Sequence, residues 1–344
     1  MSRKQGVIAL TGAAVGVGVG LATSRAMVRR RRRNDPEAAE KFGTRRGVRS
    51  RTIRLSDGAD AFVEEAGPKS KRGAVFVHGS ALRTDLWHYQ LPGLDDHRLV
   101  FYDLRRHGVS RGRGSEPFSI AQLARDLVEV IDDTGLEEIV VVGHSIGGMI
   151  ALDLAHNRPD LLGSRIKGLV LVNTTYRPGV ETLAGGAAVA HLERLLRRPM
   201  DILGRGTVTL DKLRAVVRPS DALFMTVAYA GFGPGAAASQ IDFVYDMLSE
   251  TPSDVIFDLI RSYRDFDVTE VLGDVTVPVL VMGGSSDRIT IPAASHYLAE
   301  HLPKAELKMF DRCGHMPMLE RHREFNEVVR SFLDDTIGGS RRQR

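Results

Sequence analysis

The chain has 344 residues, 43% hydrophobic and 26% charged, which suits one sizeable folded core with appendages rather than a disordered or fibrous polypeptide. A single cysteine, Cys313, excludes an intrachain disulfide framework; no metal-spaced His/Cys cluster, Walker loop or dinucleotide fingerprint occurs, so neither metal nor cofactor is expected. The net charge of +4 conceals a split: residues 1–54 hold 14 Lys and Arg against 3 Asp and Glu, residues 338–344 add 3 Arg, and the body between is acidic, so the charge gives no nucleic-acid reading.

Gly6 to Thr23 runs 18 residues without a charge. At about 1.5 Å per residue this covers roughly 27 Å, close to the hydrocarbon thickness of a bilayer. Arg25 and Arg29 to Arg33 follow, six arginines against Arg3 and Lys4 on the other flank. The expectation is an N-terminal membrane anchor over residues 1–33, a single span at residues 6–23 with Arg29–Arg33 on anionic headgroups. The positive-inside rule then puts the catalytic domain on the cytoplasmic side. A cleaved signal peptide with export, and a surface-lying tail, are the competing readings. Residues 34–50, with Pro36, Gly43 and Gly47 among charged residues, read as a linker.

Arg51 to Gly67 suggests two opening strands around a Ser56-Asp57-Gly58 hairpin turn. Ala74 to Val77 is a buried-type strand leading into His78-Gly79-Ser80-Ala81. After Ser119, the spacing of Ile120, Leu123, Leu127, Val130 and Ile131 predicts a helix. The β-branched run Ile139 to Val142 then enters Gly143-His144-Ser145-Ile146-Gly147-Gly148, a G-x-S-x-G turn before a helix. That is the nucleophile elbow of a serine hydrolase, in which residues without a Cβ tolerate the close backbone approach around the serine.

A serine hydroxyl needs a base to take its proton, and the base needs an orienting group, here in the chain order serine, acid, histidine. Val277 to Met282 reads as a strand running into Gly283-Gly284-Ser285-Ser286-Asp287, and Glu306 to Phe310 as a strand leading to Cys313-Gly314-His315. Asp287 and His315 thus sit just past strand ends, as Ser145 does, where catalytic groups of open α/β sheets collect. Taken singly, Asp287 also suits a turn and His315 a packed loop; beside the elbow they fit a triad. The sixth strand, Gly168 to Val172, ends in Asn173-Thr174-Thr175 without a carboxylate, which favours Asp287 as the acid. The oxyanion needs two backbone donors: Ile146, following the nucleophile, and Ser80 in the loop after Val77, with Ala81 the alternative. Cys313 reads as loop packing and His78 as structural.

Together with Tyr102-Asp103-Leu104-Arg105-Arg106-His107-Gly108-Val109-Ser110, these motifs make residues from about Arg51 to Leu333 resemble the α/β-hydrolase superfamily. The resemblance implies a mostly parallel central sheet with helices on both faces. In that superfamily the Asp-Leu-Arg-x-His-Gly-x-Ser loop is mainly structural, and it usually carries Gly where this chain has Arg106. Epoxide hydrolases and haloalkane dehalogenases place an aspartate at the position of Ser145, and the Gly79-Ser80-Ala81-Leu82 loop lacks the extra glycines of the HGGG-type esterases.

Between Tyr176 and about Asp267 the strand-helix alternation stops; Gln240 to Leu248 and Ser253 to Tyr263 read as helices, as does His191 to Leu196, with a break at Gly231 to Gly235. This resembles the helical lid of lidded α/β-hydrolases, inserted after the sixth strand. Phe224, Met225, Tyr229, Phe243, Tyr245 and Met247 are the candidate lining residues, although at helical spacing most of them are expected to be lid core, with one or two touching substrate. The expected organisation is a core of residues 51–175 and 268–337, a lid of 176–267 and a basic tail of 338–344. The expected activity is hydrolysis of a small-molecule or lipid-like carboxylic ester at a membrane surface through Ser145, Asp287 and His315. A cofactor-free perhydrolase or haloperoxidase-like enzyme with the same triad, and a non-catalytic membrane-bound binding protein, are the alternatives.

Overall fold

A computed structural model describes residues 25–178, 221–264 and 266–338. β1 (Arg49–Arg54) and β2 (Asp60–Ala66) form the expected hairpin, followed by β3 (Arg72–Val77), β4 (Arg98–Tyr102), β5 (Glu138–His144), β6 (Ile166–Val172), β7 (Val279–Gly284) and β8 (Ala305–Phe310). They make one eight-stranded sheet in the order β1-β2-β4-β3-β5-β6-β7-β8. β1 and β2 pair antiparallel, as do β2 and β4; every later pairing is parallel. The strand order reverses at β3, whose two neighbours are β4 and β5, and crevices at the carboxyl ends of such reversals hold the sites of open α/β sheets.

The apolar runs follow from burial on both faces. In β5, Ile139 and Val141 enter one core cluster while Val140 and Val142 enter the other; Val75 and Val77 against Ala74 and Phe76 do the same in β3. Each such valine, isoleucine or phenylalanine side chain contributes about 1.5–3 kcal/mol on full burial. The helix Ile120–Thr134 shows how local chemistry bounds an element: the Ser119 side chain caps the N–H of Gln122, and Gly135 at φ 65° ends it. Its Asp126 receives a bidentate bond from the buried Arg105 at 2.6 Å, and Arg105 also reaches Asp57 at 2.8 Å, which fastens the loop after β4 to both helix and hairpin.

After β6 the chain contributes the helices Asp221–Gly231, Ala238–Glu250 and Ser253–Ser262 before returning to β7, so a helical lid is inserted after the sixth strand. Residues 179–220, including the expected helix at 191–196, and the tail from 339 lie outside the described residues.

The expectation of a membrane-anchored protein is corrected. Among the described residues no helix is long and apolar enough to cross a membrane. The segment 6–23 itself lies outside them, but the cluster Arg29–Arg33 that was to meet lipid belongs to a helix over residues 25–33 packed on the lid. Val28 is buried in the lid-side core, Arg32 forks onto Asp242 at 2.7 and 3.1 Å, and its guanidinium lies over the Phe224 ring at 5.2 Å. The chain that follows continues onto the lid and the core. Asp35 accepts from the N–H of Ser239 at 2.7 Å, Glu37 from Tyr89 and Gln240 at 2.9 Å, and Phe42 stacks on Phe243 at 4.9 Å.

Candidate active site

Ser145 joins β5 to the helix Ile146–Asn157 with φ 55° and ψ −118°, a conformation L-residues rarely adopt. The surrounding contacts determine it. Its N–H donates to the Val172 carbonyl at 2.9 Å, and its own carbonyl accepts from Thr174 Oγ1 at 2.7 Å. A Cβ on Gly143 would stand 2.3 Å from the Gly147 carbonyl oxygen, and one on Gly147 would stand 2.3 Å from that of Val77. The G-x-S-x-G pattern therefore permits the helix to start against β3.

Asp287 follows β7 and is buried, its Oδ1 accepting the N–H groups of Ile289 and Thr290 at 2.8 and 3.1 Å. Its Oδ2 accepts the Thr290 hydroxyl at 2.8 Å and lies 2.8 Å from Nδ1 of His315. With the carboxylate as acceptor, Nδ1 carries the imidazole proton and Nε2 is the basic nitrogen. His315 follows β8 through Arg312, a left-handed residue at φ 50°. Its backbone N–H donates to the Gly231 carbonyl of the lid at 2.9 Å.

The structure thus brings Asp287 and His315 into direct contact and joins the Ser145 turn to them through His144, whose Nε2 donates to the His315 carbonyl at 2.9 Å. Burial holds the His144 imidazole well below its ordinary pKa, and its N–H is committed to that carbonyl, so this neighbour of the serine is scaffold rather than base.

Sequence reasoning passed over Asn173 as a position lacking a carboxylate. In the left-handed region at φ 42°, its side chain donates to the Gly314 carbonyl at 2.9 Å and accepts from the Gly284 N–H at 2.8 Å. It thereby links the loops carrying acid and histidine. Its place directly after β6, on the same sheet edge, was the signal. Thr290 was also missed, three residues beyond Asp287 in an ordinary-looking turn.

The loop after β3 is set by two buried histidines. His78 Nδ1 donates to the Gly79 carbonyl at 2.8 Å and its Nε2 accepts the Leu104 N–H at 3.0 Å. His107 Nδ1 donates to the Arg105 carbonyl at 3.0 Å, and its Nε2 accepts the Ala81 N–H at 3.2 Å. Ala81, the alternative oxyanion donor, has therefore committed its N–H. The Ser80 hydroxyl pairs with Tyr263 at the end of a lid helix, and Thr251 Oγ1 donates to the Ala81 carbonyl at 3.0 Å.

Among the six candidate lining residues of the lid, Phe224, Phe243, Tyr245 and Met247 are buried, Met225 is half-buried and Tyr229 is 68% exposed. A cleft of about 510 Å³ opens between the lid and the loop after β4, bordered by Leu82, Arg106, Met247 and Asp254; Ser145, Asp287 and His315 are not among its lining residues. Among the described residues no three His, Cys, Asp or Glu side chains converge as a metal site.

This strand order and this arrangement of turns define a fold that known proteins share. The α/β-hydrolase fold family matches residues 75–322, and the chain belongs to that family, as a hydrolase of the α/β-hydrolase superfamily. A protein of Caulobacter sp. strain K31 assigned as the carbamate hydrolase RutD is 30% identical over 269 residues, 78% of this chain and 92% of that protein. A thermophilic esterase from Thermogutta terrifontis shares the fold with a TM-score of 0.67 at 21% identity, over 84% of this chain and 99% of that one. A bromoperoxidase from Bacillus anthracis does so with a TM-score of 0.66 at 19% identity, over 83% of this chain and 100% of that one.

Proposed function

We propose that this hydrolase cleaves carboxylic esters through an acyl-enzyme, with Ser145 as nucleophile, His315 as base and Asp287 as its orienting acid. The observation that supports the reading is the 2.8 Å contact between Asp287 Oδ2 and His315 Nδ1, which favours the proton on Nδ1 with Nε2 available as base. Ser145 Oγ attacks the carbonyl carbon as its proton passes to Nε2. The tetrahedral oxyanion is met by the backbone N–H groups of Ser80 and Ile146. Collapse breaks the bond to the leaving alcohol, which takes the proton from Nε2. Water, deprotonated by the same nitrogen, then releases the acid and restores Ser145.

The lid is the natural source of substrate selectivity, because it contacts both the loop after β3 and the His315 loop. Resemblance to a carbamate hydrolase favours a second substrate class, since a carbamate presents the same attackable carbonyl. A p-nitrophenyl ester series tests the assignment: Ser145→Ala should abolish turnover with folding intact, and Asp287→Asn should lower it about ten-thousandfold by spoiling the imidazole tautomer. Retained turnover in Ser145→Ala would exclude the mechanism.

A further inference from the structure

Glu320 stands on the short helical turn Pro317–Glu320 beyond His315. Its Oε1 accepts the Gly314 N–H at 2.9 Å and lies 3.6 Å from the Cys313 thiol, while its Oε2 accepts the Gly233 N–H at 2.8 Å. Gly314 immediately precedes His315; Gly233 lies in the lid, two residues beyond the Gly231 carbonyl that receives the His315 N–H. The two backbones nearly touch. A Cβ on Gly314 would stand 2.4 Å from the Phe232 carbonyl carbon, and one on Gly233 would stand 2.3 Å from the Arg312 carbonyl oxygen. A carboxylate in such a place is costly, and burial raises the pKa of Glu320 above its ordinary value. What this side chain supplies is two acceptor oxygens on one rigid plane, each matched to a different N–H.

We propose that Glu320 is a positioning residue: by bridging the Gly314 N–H beside His315 and the Gly233 N–H of the lid, it sets the position of the catalytic imidazole and makes that position depend on the docked lid. Cys313 serves the same bridge as a thiol donor, since burial pushes its pKa up and keeps it protonated. This inference rests on His315 acting as base for Ser145.

Glutamine is the informative substitution. It keeps the shape but has one acceptor oxygen, and its NH₂ would face an N–H. Glu320→Gln should lower kcat, and the rate of fluorophosphonate labelling, by about tenfold or more while KM changes less than about twofold. Turnover per labelled site equal to wild type, with any loss explained by a smaller folded fraction in thermal melts, would overturn the proposal. Hydrogen exchange on the wild-type protein tests it without a variant. The amides of Gly233 and Gly314 should be protected to the same degree, and rapid exchange at either would break the bridge. A wild-type protein that neither turns over esters nor labels would overturn the serine-hydrolase reading and this inference with it. Turnover in wild type that Glu320→Gln matches would overturn this inference alone.

Discussion

Arg106 reaches the lid from a left-handed turn at φ 64°, its Nη1 donating to Asp258 Oδ2 at 2.5 Å and its Nη2 meeting Asp254 one helical turn earlier. An L-residue in that backbone region costs about 1–2 kcal/mol that glycine avoids. The superfamily loop that this segment resembles usually carries glycine there; this chain accepts the strain and gains a cation that grips two lid carboxylates. Arg106→Ala should therefore be less stable than Arg106→Gly by about 1 kcal/mol, because alanine loses the carboxylates and keeps the strain. Urea unfolding of the two variants measures the difference, and equal midpoints would contradict the backbone argument.

The elbow makes a steric prediction. A Cβ at Gly147 would lie 2.3 Å from the Val77 carbonyl oxygen and 3.0 Å from the Val77 Cβ, in a strand that cannot yield without disturbing its neighbours. Gly147→Ala should destabilise the fold by about 1–3 kcal/mol and displace Ser145, seen as a lower melting temperature with slower probe labelling. A variant that melts and labels like wild type would contradict the steric argument.

The loop after β3 should be acid-sensitive. Burial lowers the His78 pKa from 6.5 to about 3 and the His107 pKa to about 4, and each Nε2 accepts a backbone N–H that a protonated ring could not. Both folded values lie below the unfolded value, so between them the unfolded chain binds more protons. Stability contributed by each neutral histidine is complete above about pH 6.5 and is lost as pH falls, at about 1.4 kcal/mol per pH unit, until the folded pKa is reached. His78→Gln should make the decline in unfolding free energy between pH 6 and pH 4 shallower by about that slope. An unaltered slope in urea titrations would mean that His78 does not resist protonation in the fold.

The candidate site was legible where chemistry and secondary structure coincide along a short stretch. Ile139 to Val142 must be a buried strand, Gly143 to Gly148 must be a tight turn, and Asp287 and His315 follow strands of their own, so the chain announced the sheet edge on which they collect. Partners brought together by folding were not announced. Asn173 acts through Gly284 and Gly314, 111 and 141 residues away. Glu320 sits among ordinary charged residues, and only the folded chain places the Gly233 N–H against it. The arginine run misled for the same reason: beside an apolar stretch it suggests lipid, but Arg32 meets Asp242 across 210 residues and Val28 turns into the lid-side core. Lid positions such as Phe224 and Phe243 carry helical spacing, which fits a lid core better than a pocket wall, and both are buried.

The central claim is that Ser145 is the activated nucleophile of an acyl-transfer site. Its most direct measurement is fluorophosphonate labelling of the intact protein, with the modified residue located by peptide mass spectrometry. The account predicts a single adduct on Ser145, slowed strongly in Asp287→Asn and absent in Ser145→Ala. An adduct on another residue, or folded protein that turns over esters without modification of Ser145, would contradict it.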